Sequence, residues 1–339
     1  MDRPSDTDDA VLTDIFLRDR PARGINVPRP GLDATAPRYS IGRIFWIHDI
    51  ARVASGLLLL CDEGEVHPLE KQLESKRLSL QDIRGRLDTQ LIGQHLYLLE
   101  EVESTNVSLR AIARAGGAEG TVVVAESQTH GRGRHGQPWF SPPGVNLYAS
   151  VLFRPHFLPR DAASFSFVAS LAVYDALRAL GGEPGIKWPN DVILDGKKVA
   201  GALVECATRG HEIEFLILGV GVNLNVDPAA LRAALDGSGF AATSVSHILG
   251  RTINRNAFTA SYLNHLGRWV NRHRASGPDA TLAAWRDRDI LIGRRVQIRA
   301  PDGAFEGRAR AVDAEGRLLV EDFLGERHIV ISGEVRILD

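Results

Sequence analysis

The sequence predicts an α+β protein in which a mixed β-sheet carries helices on one face and is followed by a small all-β domain. Amphipathic helical patterns alternate along the chain with short, apolar, β-branched runs that are typical of strands. An Asp-Gly pair joins two such runs in VILDGKKV, which favours a two-residue hairpin and so an antiparallel pair. The end of the chain has short alternating runs broken by Asp-Gly, Glu-Gly and Ser-Gly, which is typical of a small barrel-like domain.

The first elements are a helix, a strand, a second helix and a second strand. The helix LSLQDIRGRL has Ser79 and, three residues on, Asp82, which form a start that resembles a capping box. LIGQHLYLLEEV is predicted as a strand. STNVSLRAIARAGG is predicted as a helix with a hydroxyl or Asn cap and a stop at Gly116. TVVVAE follows as a short buried strand.

The next elements are predicted in the same way. NLYASVLF alternates like a strand, and AASFSFVASLAVYDALRALGG has helical apolar spacing and a Gly-Gly stop. The VILDGKKV hairpin follows, and then EFLILGVGVNLNV (Glu214–Val226) is predicted as a buried strand. NAFTASYLNHLGRWVNRH is the last amphipathic helix before the β-rich end of the chain.

These elements predict four segments along the 339 residues. Residues 1–38 hold five of the 16 prolines and are predicted to be a disordered leader. Residues 39–77 are apolar enough to pack but match no module, so we leave them unassigned. Residues 78–290 form the predicted main domain, and residues 291–339 form the small β domain.

Composition excludes several classes of protein. A net charge of −2 gives no overall basic excess for non-specific nucleic-acid binding. The two cysteines, Cys61 and Cys206, lack disulfide or metal-site spacing and are predicted to be buried or half-buried thiols in a reducing compartment. The N-terminus is acidic, unlike a signal peptide, and no apolar run is long enough to span a bilayer. These observations predict a cytoplasmic protein.

Three glycines spell the dinucleotide-binding pattern G-x-G-x-x-G at Gly131, Gly133 and Gly136. That pattern requires a helix to follow it, so that the helix N-terminus meets the pyrophosphate. Several prolines follow Gly136 closely, and a helix does not tolerate them. The run is therefore predicted to be a mobile loop made cationic by Arg132 and Arg134.

Polar groups concentrate in four stretches: ESTN (Glu103–Asn106), QTHGRGRHG (Gln128–Gly136), KWPND with GKKVAG (Lys187–Gly201), and GVGVN (Gly219–Asn223). Together they fit the activation of a small carboxylic acid by a nucleotide. Two unit charges about 4 Å apart repel by about 4 kcal/mol at an effective dielectric constant of about 20, so cations must offset the meeting of carboxylate and phosphate. Arginine forks and lysine ammonium groups supply those cations, and glycines allow the loop to close.

At these residues the sequence resembles the biotin–protein ligases, over roughly Leu78 to Asp339. The resemblance lies in ESTN, GRGRHGQPWFSPPGVNLYAS, KWPNDVILDGKKVAGALVE and GVGVN, in that order. It implies a ligase core similar to class II synthetases and a C-terminal SH3-like barrel. It also implies a reaction in which biotin and MgATP form biotinyl-5′-AMP, and a lysine of a biotin carboxyl carrier protein then takes the biotin. Biotin and ATP are substrates, Mg²⁺ accompanies ATP, and no tightly bound metal is implied.

The resemblance carries roles to individual positions. The implied catalytic residues are Arg132, Arg134, Lys187 and Lys198. The implied biotin contacts are Ser104, Thr105, Asn106, Gln128, Arg132, Gly133, Arg134, Lys198 and Gly201. The implied contacts to ATP or the adenylate are Gly131, Gly136, Trp139, Asn190 and Asn223. Asp191 is the implied indirect partner of the metal.

Two departures and two alternatives accompany this resemblance. His135 stands where the family often has arginine, which lowers the charge of the loop at neutral pH. Some family members add a DNA-binding module and repress biotin synthesis, but residues 40–77 are short for such a module and EKQLESKR mixes positive and negative charges, so no nucleic-acid partner is expected.

The alternatives are such a bifunctional ligase and repressor, or a lipoate ligase of the related fold. The resemblance leaves a monomer or a homodimer open.

Overall fold

The protein is described by a computed structural model that covers residues 77–155, 162–235, 241–300 and 303–339. The leader and nearly all of the unassigned extension predicted before residue 78 lie outside the described residues, as does Cys61. Cys206 is exposed, which corrects the prediction of a buried or half-buried thiol. Among the described residues, no helix has the length and apolar character needed to cross a bilayer.

A seven-stranded mixed sheet forms the main domain, in the order β1-β2-β3-β7-β6-β5-β4. Strands β1 and β2 run parallel, and each of the other neighbouring pairs is antiparallel. The strands are β1 (Leu96–Val102), β2 (Val122–Gln128), β3 (Leu147–Phe153), β4 (Pro184–Lys187), β5 (Asp191–Leu194), β6 (Lys197–Arg209) and β7 (Glu212–Val222). The mixed sheet predicted from the sequence is confirmed.

Helices pack on both faces of this sheet rather than on one. Ser150 of β3 is hydrogen-bonded to Asn106 at the start of one helix, whereas Phe153 packs edge-on against Phe165 of another. Residues three apart in a strand point to opposite faces, so the two helices lie on opposite sides. The helices are α1 (Leu80–Arg84), α2 (Thr105–Arg114), α3 (Ser164–Ala179), α4 (Pro228–Ala234), α5 (Val245–Leu249) and α6 (Arg255–Arg286), the last broken at Gly277.

Local sequence signals explain two of the boundaries. The side chain of Ser79 accepts a hydrogen bond from the Asp82 backbone N at 3.2 Å, so the predicted cap of α1 is confirmed. The β5–β6 connection has φ values of 50° at Asp195 and 68° at Gly196, which are the left-handed values that a two-residue hairpin requires. The hairpin predicted from the Asp-Gly pair is therefore confirmed.

The C-terminal domain is a five-stranded antiparallel sheet in the order β11-β10-β9-β8-β12. Its strands are β8 (Arg295–Ala300), β9 (Gly303–Val312), β10 (Leu318–Asp322), β11 (Arg327–Val330) and β12 (Glu334–Ile337). Two side chains of the KWPND stretch hold it against the main domain. Trp188 Nε1 donates to Gly316 O at 2.9 Å, and Lys187 Nζ donates to Val335 O at 3.2 Å.

Candidate active site

The four polar stretches meet in one cleft of about 670 Å³. The predicted site residues that line it are Ser104, Thr105, Asn106, Gln128, Arg132, Gly133, Arg134, Trp139, Lys187, Asn190, Asp191, Lys198, Gly201 and Asn223. Gly131 and Gly136 are not among its lining residues. Residues that are far apart in sequence thus meet in one cleft.

One end of the cleft, the charged end, consists of Arg134, Lys187, Lys198 and Asp191. Asp191 begins β5 and is buried, with Lys198 Nζ 2.5 Å from one carboxylate oxygen and Lys187 Nζ 3.2 Å from the other. Burial acts to raise the pKa of Asp191, but the two ammonium groups outweigh it and hold the pKa below its usual value. The carboxylate is therefore ionised at neutral pH and already paired.

The glycine-rich loop closes on itself next to the charged end. Gly133 N donates to Gln137 O at 2.7 Å, and Trp139 N donates to Gly131 O at 2.8 Å. A 3₁₀ turn, Arg134–Gly136, includes the last of the glycines, and the next element is strand β3 and not a helix, so the loop is not a dinucleotide-binding turn. The turn has φ of 55° at His135 and 74° at Gly136, so the glycine fits a left-handed position.

The two arginines of the loop differ in exposure. Arg132 is exposed at the rim, whereas Arg134 is partly buried and faces Asp191. Burial lowers the pKa of the Arg134 guanidinium, and the negative charge of Asp191 opposes that effect. Arginine remains charged at any physiological pH, so Arg134 is a cation held at the edge of the charged end.

The other end, the neutral end, consists of Ser104, Thr105, Asn106 and Gln128. Gln128 Oε1 accepts from Thr105 N at 2.9 Å, and Gln128 Nε2 donates to Ser141 Oγ at 2.9 Å. Gln128 therefore caps helix α2 from the neighbouring strand. The N-cap residue Ser104 makes no capping bond with its own side chain.

Sequence reasoning missed three residues behind the neutral end. Asn106 Oδ1 accepts from Ser150 Oγ at 2.6 Å, and Asn106 Nδ2 donates to Glu205 Oε2 at 2.7 Å. Glu205 is in turn paired with Arg110 at 2.9 Å. A hydroxyl within a strand that is buried throughout was an available signal for Ser150. The two-residue period of β6, which places Glu205 on the face of Gly201, was the signal for Glu205.

Glycines of β7 form the floor between the two ends. A Cβ at Gly219 would stand 2.3 Å from Asn106 Oδ1, and one at Gly221 would stand 2.4 Å from the indole of Trp139. Trp139 therefore lies directly on the backbone of β7, and Lys198 Nζ is 5.4 Å from its ring centroid. Only glycine allows side chains to approach the sheet this closely.

The remaining predicted residues are held by the backbone around them. Asn190 is buried and donates from Nδ2 to Ala202 O. The backbone of Asn223 donates to Val199 O at 2.7 Å and accepts from Val245 N at 2.8 Å. The C-terminal domain also reaches the cleft through Arg299, Gly333, Glu334 and Val335, which no local pattern predicted.

Each carboxylate oxygen of Asp191 faces one ammonium group, so a metal ion near this carboxylate would share its negative charge with Lys187 and Lys198. Among the described residues, a group with metal-ligand spacing occurs in the C-terminal domain, at Asp322, Glu326 and His328. In chemical terms the cleft fits a ligand with a neutral, hydrogen-bonding head and an anionic tail, because the neutral end and the charged end meet across a glycine floor.

Two family models match the chain. Residues 99–223 match the biotin/lipoate A/B protein ligase family, and residues 291–337 match the biotin protein ligase C-terminal domain. The first covers the part of the sheet that carries most of the cleft, and the second covers the five-stranded sheet. The small C-terminal β domain expected from the sequence is thus confirmed as this family's domain.

Curated relatives align with 70–75% of the chain. The biotin–[acetyl-CoA-carboxylase] ligase of Mycobacterium tuberculosis is 34% identical, covering 73% of this chain and 91% of the relative. The enzyme of that name from Paracoccus denitrificans is 33% identical, covering 70% of this chain and 98% of the relative. The bifunctional ligase/repressor BirA of Bacillus subtilis is 32% identical, covering 75% of this chain and 77% of the relative.

A solved structure supports the same assignment. The biotin protein ligase from Aquifex aeolicus, determined in complex with biotin and ATP, superposes with a TM-score of 0.59 at 26% identity. The match covers 72% of this chain and 98% of the Aquifex chain. The identity and coverage of the relatives, together with the shared fold, show that this chain belongs to the biotin protein ligase family.

Proposed function

We propose that the protein is a biotin–protein ligase of the biotin–[biotin carboxyl carrier protein] type. In the first step, a carboxylate oxygen of biotin attacks the α-phosphorus of ATP, the bond to the β-phosphate breaks, and biotinyl-5′-AMP and pyrophosphate form. In the second step, the ε-amine of a carrier lysine attacks the carbonyl carbon, loses a proton and expels AMP. Family membership and the names of its relatives support this proposal.

The observation that carries the proposal is the meeting of the two ends in one cleft. A carboxylate brought to a phosphate needs cations, and Lys187, Lys198 and Arg134 stand at the charged end around Asp191. We assign these three residues to holding the biotin carboxylate and the α-phosphate, with Arg132 and Gly133 joining them when the loop closes. Closure would also exclude water from the mixed anhydride.

We assign the neutral end to the bicyclic head of biotin. The ureido ring carries two N–H donors and one carbonyl acceptor, which suit the hydroxyl and amide groups of Ser104, Thr105, Asn106 and Gln128. Gly201 of β6 lies beside Trp139, and a Cβ at this position would stand 3.3 Å from the indole ring. Trp139 lies between the ends, where it can pack on biotin as well as on the nucleotide, the contact that the resemblance implies for it.

Nucleotide binding is assigned to the charged end and its surroundings. Asn190 and Asn223 are the proposed polar contacts to ATP, with the Gly131 and Gly136 positions acting through the shape of the loop. Mg²⁺ enters as MgATP, and because the oxygens of Asp191 are paired, we assign Asp191 an indirect electrostatic role toward the metal. The acceptor is a biotin carboxyl carrier protein, and the reaction is proposed to take place in the cytoplasm.

A labelling experiment tests the proposed function. The full chain is incubated with labelled biotin, MgATP and a carrier domain, and covalent label is sought on the carrier lysine. We expect label that depends on ATP and is not competed by excess lipoate. Label that lipoate competes away would favour the lipoate ligase, and no label with a competent carrier would overturn the proposal.

The repressor alternative depends on the chain before Arg77, which lies outside the described residues. The ligase names of the Mycobacterium and Paracoccus relatives do not favour it. A gel-shift assay with and without biotin and ATP tests it directly. DNA binding that responds to the two ligands would add a regulatory function to the ligase.

A further inference from the structure

Glu205 lies outside the lining of the cleft but contacts a side chain that lines it. Asn106 donates from Nδ2 to Glu205 Oε2 at 2.7 Å, and Glu205 Oε1 is paired with Arg110 at 2.9 Å. Asn106 is buried, whereas Glu205 and Arg110 are partly exposed, so the contact links a buried amide of the cleft to an ion pair nearer the surface. The catalytic assignments above make no use of Glu205 or of Arg110.

The Glu205 carboxylate determines which way the Asn106 carboxamide faces. A carboxylate paired with a guanidinium only accepts hydrogen bonds, so the NH₂ group of Asn106 must face it. Asn106 Oδ1 is then turned toward Ser150 Oγ, 2.6 Å away, and toward the floor at Gly219. A carbonyl oxygen has two lone pairs and Ser150 occupies one, which leaves an acceptor at the neutral end of the cleft.

We propose that Glu205 is a positioning residue that makes the neutral end select a ligand head bearing N–H donors. On the proposed function, that head is the cyclic urea of biotin. A head without N–H groups, such as the dithiolane ring of lipoate, leaves the Asn106 acceptor without a partner. Sites built to hydrogen-bond a polar group reject analogues that lack it, because buried polar groups are then unpaired.

The variant Glu205→Gln tests this proposal because it keeps the shape of the side chain, replaces one acceptor oxygen with a donor NH₂ group and removes the negative charge. Arg110 continues to face the remaining oxygen, so the new NH₂ group faces Asn106 and turns that carboxamide over. Asn106 then presents a donor to the N–H of the ligand. We expect the biotin Kd, measured by calorimetry on the full chain, to rise roughly 10-fold or more.

Further measurements separate positioning from general damage. Desthiobiotin keeps the urea and lacks the sulfur, so Glu205→Gln should weaken it by the same factor as biotin. The KM for ATP, and kcat at saturating biotin, should stay within about 2-fold, since neither involves the urea. Glu214→Gln is the matched control, because Glu214 forms an exposed ion pair with Arg209 on the same β6–β7 hairpin and should leave biotin affinity unchanged.

A second variant gives the proposal a specific rescue. When Arg110→Met is combined with Glu205→Gln, no guanidinium holds the glutamine oxygen, so that oxygen can turn to Asn106 and restore its original orientation. The double variant should therefore bind biotin more tightly than Glu205→Gln alone. A double variant that binds no better, or a Glu205→Gln variant that binds like the wild type, would overturn the role of Glu205. Failure of the wild-type chain to bind biotin would instead overturn the proposed function.

Discussion

The two ends of the cleft hold their polar groups in opposite ways. At the neutral end, amides and hydroxyls are connected in a chain of hydrogen bonds that runs from Gln128 through Thr105, Ser150 and Asn106 to Glu205. At the charged end, Lys187 and Lys198 face the carboxylate of Asp191, and Arg134 stands near it. One end is organised by directional hydrogen bonds among amides and hydroxyls that end at one carboxylate, and the other by ion pairs within the cleft.

This difference has a consequence for ligand binding. A neutral head can bind to the hydrogen-bonded end without disrupting it, because lone pairs remain on atoms such as Asn106 Oδ1. An anionic tail must compete with Asp191 for the same ammonium groups. We therefore expect the neutral end to set affinity for the acid and the charged end to set the rate of adenylate formation.

Removing the carboxylate at the charged end should have the largest effect on the stability of the folded protein. Asp191→Ala takes away the anion that two lysines face in a buried site, and breaking buried ion pairs costs about 3 kcal/mol or more. We expect the free energy of unfolding at pH 7, measured by urea denaturation, to fall by about that amount. Glu214→Ala, which breaks an exposed pair with Arg209, is the control and should cost less than about 1 kcal/mol.

The pH dependence of that loss has a defined sign. The pKa of Asp191 is lowered in the folded state, so its stabilisation is fully present above the usual value of 3.8 and is lost as pH falls through the folded pKa. The stability difference between wild type and Asp191→Ala should therefore be constant from pH 8 to pH 5. A difference that shrinks within that range would show that the carboxyl pKa is not lowered.

Removing a cation at the charged end should have the largest effect on the rate of adenylate formation. Lys198→Ala is expected to slow adenylate formation by at least ~100-fold, about 2.7 kcal/mol, the scale of one preorganised charge-stabilising group. The measurement is pyrophosphate release at saturating biotin and ATP. Lys197→Ala, which alters the exposed neighbour in the hairpin, is the control and should leave the rate unchanged. A Lys198→Ala variant that turns over normally would refute the assignment of the lysine.

Much of the charged end could be predicted from the sequence, and less of the neutral end. Lys187, Asp191 and Lys198 lie on a short strand and the hairpin that follows it, so local turn chemistry brings them together. Ser150 and Glu205 reach Asn106 from strands β3 and β6, and no local pattern encodes which strands become neighbours. Trp139 contacts the floor because the glycine-rich loop folds back over β7. The path of the loop depends on tertiary structure, so no local pattern predicts this contact.

A change to the floor should affect the neutral end selectively. Gly219→Ala adds a Cβ that would stand 2.3 Å from Asn106 Oδ1, so the carboxamide must move. We expect the biotin Kd to rise roughly 10-fold or more through lost hydrogen bonds, with the KM for ATP nearly unchanged. Calorimetry and steady-state kinetics check the two expectations. Equal losses for biotin and ATP would contradict the division of the cleft into two ends.

The smallest expected effect is at the loop beside the charged end. Arg134→Ala removes a partly buried cation that faces Asp191, while the backbone bonds between Gly133 and Gln137 that fold the loop remain. We expect biotinyl-AMP to dissociate roughly 10-fold faster, since a hydrogen bond to a charged group contributes about 1.5 kcal/mol or more. The rate of dissociation is measured as the loss of labelled adenylate from the protein on a desalting column. Arg132 lies at the exposed rim, so Arg132→Ala is the control and should release the adenylate more slowly than Arg134→Ala. Retention equal to that of the wild type would exclude Arg134 from the adenylate site, and the charged end would then consist of the lysines and Asp191.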